Sequence, residues 1–256
     1  MIVFCYDKTW DGLLSALFDA FSLQLFPERL MACDDIPPLL TGNIHQVVTA
    51  VDKSERVSAG LKKKLSPRSY NSLAYVWLSE AAGSDMMLFA YMRKTFSSPD
   101  FQEGDFSDAN TLALGRLARK VRKVRKEIMY VMQFVRFQKT GDDIYFSLIS
   151  ARYNVLPLAI PYFKNRFADQ KWIIYDSGRD YGFFYDLRQM SEIRLNHDAP
   201  LKDGRLDDEA LAENERLFQK SWQKYYQALS IKERHNPKLH RQNVPQRFWR
   251  FLHEKD

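Results

Sequence analysis

Arginine, aspartate and tyrosine side chains are dense between residues 152 and 186 of this 256-residue sequence. Two kinds of chemistry fit that composition. Buried Arg–carboxylate pairs would fix the edge of a sheet, whereas arginine forks that face a cleft would bind an anion such as a phosphate. Asp176 and Arg179 bracket a tight turn, where a local ion pair needs no ligand. The pattern favours structural pairing, so we expect the Arg and Asp residues to be mostly buried and paired with each other. Arg136, Arg166 and Arg179 should then each find a carboxylate or several carbonyls where they lie inside.

Separated aspartates suggest a different chemistry. Asp7, Asp11 and Asp176 would serve as the acids of a nuclease-like or glycosylase-like enzyme around a bound nucleotide or lesion. Turns and helix caps favour aspartate for geometry alone, however, so these positions are weak indicators of catalysis. The sequence has no phosphate-binding glycine loop, no HExxH, no GxSxG and no HxE with a downstream CxxC. We predict no cofactor and no metal site, since Cys5 and Cys33 lack the paired spacing of zinc or iron–sulfur ligands.

A run of seven cations occupies residues 116–126, and no acidic residue interrupts it before Glu127. At helical spacing, the apolar residues of this stretch fall on one stripe and the cations cover most of the remaining surface. Nucleic acid is the commonest polyanion that would offset so much charge. When this run is considered by itself, a helix face that is simply solvated accounts for it equally well. The candidate nucleic-acid contacts on this helix are Arg116, Arg119, Lys120 and Lys123.

A second cationic segment lies at residues 231–256, where basic residues alternate with aromatic ones. Cations beside flat rings are typical of surfaces that bind phosphates and stack bases. For Trp249 itself, docking of a short helix into the core is the favoured interpretation. The candidate nucleic-acid contacts in this segment are Arg234, Lys238 and Arg241. The whole chain has a formal net charge of only +6, so the placement of the charges says more than their total.

The elements that would position these residues follow from hydrophobic periodicity. A strand is predicted at residues 1–6 and a helix at 13–25. Strands at 131–138 and 144–150 should form a hairpin, and a series of short strands should follow at 171–195. Between the first and last of these, helices are predicted near 53–65, 68–82, 84–97 and 108–128. We therefore predict an α+β fold. Its antiparallel sheet is built from residues of about 130–195 together with the N-terminal strand, and the middle helices cover it. A basic helical tail follows at the C-terminus.

Two domains are predicted from the change in composition along the chain. The first is a body at residues 1–200 that includes a helical insertion at about 53–128, and the second is a helical extension at 201–256 with the basic tail. The chain has no uninterrupted apolar stretch of about 18 residues and no basic segment ahead of an apolar run at its start. With its two cysteines, this pattern predicts a protein of the reducing cytoplasm.

Several segments together resemble a known bacterial family, the DNA metabolism proteins built on the DUF4130 domain. The matching segments are Tyr6-Asp7, Trp10-Asp11-Gly12-Leu13-Leu14, Phe134-Val135-Arg136-Phe137, Tyr153-Asn154-Val155-Leu156-Pro157-Leu158, Arg166-Phe167, Trp172-Ile173-Ile174-Tyr175-Asp176, Arg179-Asp180-Tyr181-Gly182 and Arg234-His235-Asn236-Pro237. The resemblance implies a role in DNA repair or modification beside a radical-SAM partner protein, and relatives are sometimes fused to a uracil-DNA-glycosylase-like domain. Many relatives carry histidine where this chain has Tyr130 and Tyr162, so we assign no catalytic role to those two positions.

Three functions are consistent with these patterns. The leading hypothesis is an accessory protein that binds DNA through the basic helix and tail while a partner enzyme carries the chemistry. The alternatives are a cryptic DNA-processing enzyme that uses Asp and Arg side chains, and a scaffold whose positive face binds an acidic protein. The charge pattern favours the first, because a polyanion would offset the like charges on the helix.

Overall fold

The computed structural model of the chain describes residues 1–39, 41–98, 101, 109–196, 201–202, 205–231, 233 and 236–252. The chain divides into two compact units, Met1–Val124 and Arg125–Asp256. Helices and sheets occur together along the sequence, which confirms the predicted α+β class. Among the described residues, no helix is both long enough and apolar enough to cross a membrane.

The first unit contains a three-stranded parallel sheet. Its central strand, β1 (Ile2–Tyr6), lies between β2 (Arg29–Ala32) and β3 (Asn43–Gln46). The prediction that the N-terminal strand joins the sheet of residues 130–195 is therefore wrong. Both edges of β1 are hydrogen-bonded within its own sheet, so no edge is left for another strand.

Four of the described helices lie wholly within the first unit. They are α1 (Trp10–Ser22), α2 (Val51–Lys64), α3 (Pro67–Trp77) and α4 (Ser84–Ser97), in agreement with the helical segments predicted from periodicity. Helix α3 starts where Ser66 accepts a hydrogen bond from the amide of Ser69 and Pro67 occupies the first turn. The apolar stripes of these helices bury Leu14, Leu61 and Leu88 in one core with Phe4 of β1.

Helix α5 (Ala109–Phe134) is longer than its sequence predicts. We expected a strand from Val131, but Val131 is fully buried and continues the helical stripe that includes Val124. The strand expected at residues 131–138 is therefore wrong in length. Only β4 (Gln138–Lys139) pairs with β5 (Tyr145–Ile149) as the predicted antiparallel hairpin.

The second unit contains a five-stranded sheet in the order β4-β5-β6-β7-β8. The last three strands are β6 (Trp172–Asp176), β7 (Tyr181–Tyr185) and β8 (Met190–Ile193). All neighbours pair antiparallel except β5 and β6, which pair parallel. The expectation of a wholly antiparallel sheet is wrong at this pair, because α6 (Leu156–Arg166) connects the two strands as a crossover helix.

The remaining elements of the second unit are short, apart from one helix. They are β9 (Leu201–Lys202), β10 (Arg205–Leu206), α7 (Glu215–Leu229), α8 (Pro237–Asn243) and a 3-10 helix at Gln246–Phe251. Phe248, Phe251 and Leu252 are buried near the end of the chain, while the indole of Trp249 donates to the carbonyl of Val244 at 2.9 Å. The C-terminal segment thus docks mainly through the neighbours of Trp249.

Gly182 on β7 gives a stability prediction for this sheet. A Cβ at Gly182 would lie 2.6 Å from the carbonyl oxygen of Ile174 and 2.9 Å from the Cα of Tyr175, whereas a Cβ at Gly141 would meet nothing within 4 Å. Because the backbone of β6 cannot yield as a flexible side chain would, Gly182→Ala should lower the free energy of unfolding by about 1–3 kcal/mol. Urea unfolding of Gly182→Ala beside Gly141→Ala measures this, and equal stability of the two variants would contradict it.

Candidate nucleic-acid interface

Helix α5 has two chemically distinct faces over residues 121–131, as its sequence predicts. The valines at 121, 124 and 131 and Ile128 are buried, and the two most protected, Val124 and Val131, are fully inaccessible. The cations of the same stretch are all exposed, namely Arg122, Lys123, Arg125 and Lys126. The side chains of Arg116, Arg119 and Lys120 lie outside the part that the structure describes. The helix therefore presents a positive strip along at least its described half.

The acid that ends the basic run does not neutralise this strip. Glu127 points inward with 3% of its side chain exposed, forms a two-point ion pair with Arg247, and accepts a hydrogen bond from the amide of Arg152 at 2.8 Å. Where the structure describes both partners, no acidic side chain forms an ion pair with Arg122, Lys123 or Lys126. Arg122, Lys123 and Lys126 keep their charge on the surface, where an anion can reach it.

A continuous chain of polar contacts extends from Glu127 into the sheet. Arg152, bonded to Glu127 through its amide, accepts from Arg179 through its carbonyl at 3.4 Å. Arg179 also donates to Asp176 at 3.0 Å and to the carbonyl of Ala151 at 2.9 Å. We call the set formed by Arg247, Glu127, the backbone of 151–152, Arg179 and Asp176 the arginine–carboxylate cluster. It joins the end of α5, the turn after β5, the turn after β6 and the C-terminal segment.

Asp176 is the most deeply buried charge of this cluster, with no exposed side-chain surface. Burial raises the pKa of its carboxyl above the ordinary value, although hydrogen bonds from the Gly178 amide and the Arg179 guanidinium each work to lower it. Arg179 keeps 18% of its side chain exposed. The predicted structural pairing of Asp176 with Arg179 is confirmed, so this part of the arginine-rich segment holds the fold together.

The two other arginines that were considered for structural pairing or for an anion-binding pocket, Arg136 and Arg166, lie elsewhere in the second unit. Arg136 is half-buried just after α5 and donates to the carbonyls of Gln133 at 3.0 Å and Val135 at 3.2 Å. Arg166 is exposed, with its guanidinium 5.4 Å from the ring centroid of Phe167. The expectation that Arg166 is buried and paired is wrong: Arg166 is the last residue of α6, and although Phe163 one turn earlier is buried, the end of the helix reaches the surface.

The exposure of Arg166 changes the expected effect of its removal. Arg166→Ala should change the free energy of unfolding by no more than about 0.5 kcal/mol, because no buried charge loses its partner. Thermal or urea unfolding of the purified variant measures this directly. A loss of several kcal/mol would show that Arg166 has a buried partner after all.

The two predicted aspartates of the first unit have different surroundings. Asp7 accepts hydrogen bonds from the Thr9 amide, the Thr9 hydroxyl and the Thr49 hydroxyl at 3.0, 2.7 and 2.9 Å. Burial alone would raise the pKa of the Asp7 carboxyl, but these hydrogen bonds outweigh it and the pKa lies below its ordinary value. Asp11 is exposed in the first turn of α1. Asp7 thus ties the turn after β1 to Thr49, and Asp176 and Arg179 have their own partners in the second unit.

The predicted contacts of the C-terminal tail lie on α8. Lys238 and Arg241 are both exposed there, and Arg241 donates through Nε to the carbonyl of Pro237 at 3.2 Å. Asn236 caps the helix by accepting from the amide of Leu239. Arg234, the third candidate, lies outside the described residues. Within those residues, no three His, Cys, Asp or Glu side chains are grouped as metal ligands would be.

Comparison with protein families assigns most of the chain to one domain family. A family model described as a domain of unknown function, DUF4130, matches residues 82–254. The chain belongs to the DUF4130 family. The matched range includes α5, the arginine–carboxylate cluster and the tail, whereas Asp7 and Asp11 lie before it. No curated protein matches the chain.

Two members of the cluster in this DUF4130 chain, Glu127 and Arg247, were not selected from the sequence. The sequence does contain a signal for Glu127, because helical spacing places it on the same side as Val124, Ile128 and Val131. A carboxylate within an apolar stripe needs a buried cationic partner. The sequence has no comparable signal for Arg247, which is 120 positions away from Glu127.

Proposed function

We propose that this DUF4130 protein is a nucleic-acid-binding accessory protein of DNA metabolism or repair, which holds DNA while a partner enzyme carries the chemistry. The observation that carries the proposal is the division of α5, with buried aliphatic side chains on one face and Arg122, Lys123, Arg125 and Lys126 exposed on the other. A helix face that presents several like charges is stabilised when a polyanion approaches.

The inward position of Glu127 supports the proposal. A surface-facing glutamate at the end of the strip would repel phosphates, whereas here its charge is neutralised by Arg247 inside the second unit. The same carboxylate holds the Arg152 backbone against the end of α5, and the Arg152 side chain is exposed. The exposed Arg152 side chain therefore adds a cation to the surface of the second unit without adding an acid.

Such a surface suits the DNA backbone better than the base edges. Lysine and arginine side chains on a helix face bind phosphates by charge, and phosphate contacts position a protein on DNA without reading its sequence. The carboxylates Asp7 and Asp176 are taken up by internal hydrogen bonds, which favours binding over acid catalysis by these groups. Chemistry on DNA would then come from a partner, and the family resemblance suggests a radical-SAM protein in the same cytoplasm.

The proposal is tested by the salt dependence of DNA binding. Fluorescence anisotropy of a labelled duplex, titrated with the protein between about 50 and 200 mM salt, should give a log affinity that falls linearly with log salt by about 0.9 per phosphate contact. Poly-glutamate serves as a polyanion control. Binding to poly-glutamate without binding to DNA would contradict the proposal and would favour an acidic protein as the ligand of this face.

A further inference from the structure

A cleft opens in the first unit between α1, α2 and α4. Its volume is about 470 Å³, which lies within the range of about 300–1,000 Å³ that small-molecule sites occupy. The residues that line it are mostly apolar, namely Leu17, Phe18, Phe21, Val57 and Phe96, with Ser22 and Arg56 as the polar ones. All of them except Phe96 precede the range that the DUF4130 family model matches. The function proposed above does not use this cleft.

Packed aromatic rings form walls of the cleft. The ring centroids of Phe21 and Phe96 lie 5.9 Å apart in an edge-to-face arrangement. Phe96 is also packed against the backbone of α2, since a Cβ added at Gly60 would lie 2.8 Å from a carbon of its ring. Leu17 and Val57 are buried. The walls are therefore held in place by contacts within the first unit, and they suit a flat apolar body.

Arg56 supplies positive charge at this cleft. Its guanidinium carbon lies 5.3 Å from the ring centroid of Phe18, so the cation lies beside an aromatic wall. The neighbouring cation, Lys53, lies 5.9 Å from the same ring but is paired with Asp19 at 2.8 Å. Where the structure describes both partners, no carboxylate forms an ion pair with Arg56. A bound anion would thus meet a guanidinium whose charge no acidic side chain offsets.

We propose that this cleft is a binding site for an aromatic monoanion, a flat apolar ring system that carries one acidic group such as a carboxylate. The ring system would pack against Phe21 and Phe96, and the acidic group would accept hydrogen bonds from Arg56. A nucleobase fits less well, because among the described lining side chains only Ser22 and Arg56 can bond to its polar edge. An uncharged ligand would leave Arg56 without an anion.

The test compares a charged probe with its neutral analogue. Anilinonaphthalene sulfonate is an aromatic monoanion that fluoresces in apolar sites, and phenylnaphthylamine is the same ring system without the sulfonate. Arg56→Gln should weaken binding of the sulfonate about tenfold, as expected for one lost charge-assisted hydrogen bond, and should leave the neutral probe within about twofold. Because Arg56 is exposed, the substitution should leave the fold intact.

The matched control is Arg68→Gln on α3. It removes the same charge from an exposed arginine that does not line the cleft, so at about 150 mM salt both probes should keep their parent affinities. Equal losses of the sulfonate in Arg56→Gln and Arg68→Gln would show an effect of net charge alone.

Three other results would also overturn the inference. An unchanged sulfonate affinity in Arg56→Gln would show a groove without charge selectivity, as for an uncharged protein segment. Equal losses of the two probes in that variant would show damage to the fold. Absence of sulfonate binding by the parent protein would show that the cleft is not a site for this class of ligand.

Discussion

Replacing Arg179 by alanine is expected to lower the free energy of unfolding by about 3–5 kcal/mol, the cost of breaking a buried pair by removing one partner. The substitution leaves the carboxylate of Asp176, which has no exposed surface, without a cationic partner and with backbone amides such as that of Gly178 as its remaining donors. It also removes the hydrogen bond from Arg179 to the carbonyl of Ala151. Urea unfolding followed by circular dichroism measures the loss.

A matched control and a pH series sharpen this prediction. Arg188 is exposed in the turn between β7 and β8, so Arg188→Ala should cost no more than about 0.5 kcal/mol. Because the folded pKa of Asp176 is raised, its contribution to stability is full below the unfolded pKa and is lost as the pH rises through the folded pKa. Without Arg179 the folded pKa rises further. The free energy of unfolding that Arg179→Ala loses relative to the parent should therefore be smaller near the ordinary aspartate pKa of about 3.9 than at neutral pH. A pH-independent deficit, or equal stability of the two variants, would contradict this account.

Neutralising the exposed lysines of α5 should have the largest effect on DNA binding. Lys123→Gln with Lys126→Gln should reduce the slope of log affinity against log salt by about 2, because each lost phosphate contact removes about 0.9. Lys62→Gln with Lys63→Gln on α2 is a matched control. Like the α5 variant, this control removes two positive charges and one cation–ring contact. The Nζ of Lys62 lies 5.3 Å from the ring centroid of Tyr70, and the Nζ of Lys126 lies 5.4 Å from the ring centroid of Tyr130. The control should keep the parent slope, and equal slopes for both variants would mean that only the net charge matters.

The helices of this protein are largely predictable from its sequence, whereas the pairing of its strands is not. Within each helix the apolar residues recur at helical spacing, and members of these stripes such as Leu61, Leu88 and Val124 are buried as that spacing requires. Alternation in a strand shows which side chains face the core, but it does not show which strand lies alongside. Thus β1 was assigned to the wrong sheet, and β6 pairs parallel with β5 because α6 returns the chain to the same end of the sheet.

Polar contacts between residues that are close in sequence could likewise be predicted, whereas contacts between distant segments could not. Asp176 and Arg179 are three residues apart, and the turn between them brings the two groups together, so the sequence was sufficient to predict their ion pair. The prediction for Arg166 was wrong because residue type alone does not show that the last turn of α6 reaches the surface. The contact between Glu127 and Arg247 depends on how distant segments pack, which local spacing cannot supply.

The most direct test of the central claim compares lysines within one molecule. Limited acetylation of the parent protein with and without duplex DNA, read by mass spectrometry, reports which exposed lysines the DNA covers. The account predicts that DNA protects Lys123 and Lys126 of α5, while Lys62 and Lys63 of α2, which are equally classed as exposed, react as before. Protection of Lys62 and Lys63 with unchanged reactivity of Lys123 and Lys126 would contradict the claim that α5 is the DNA-binding face.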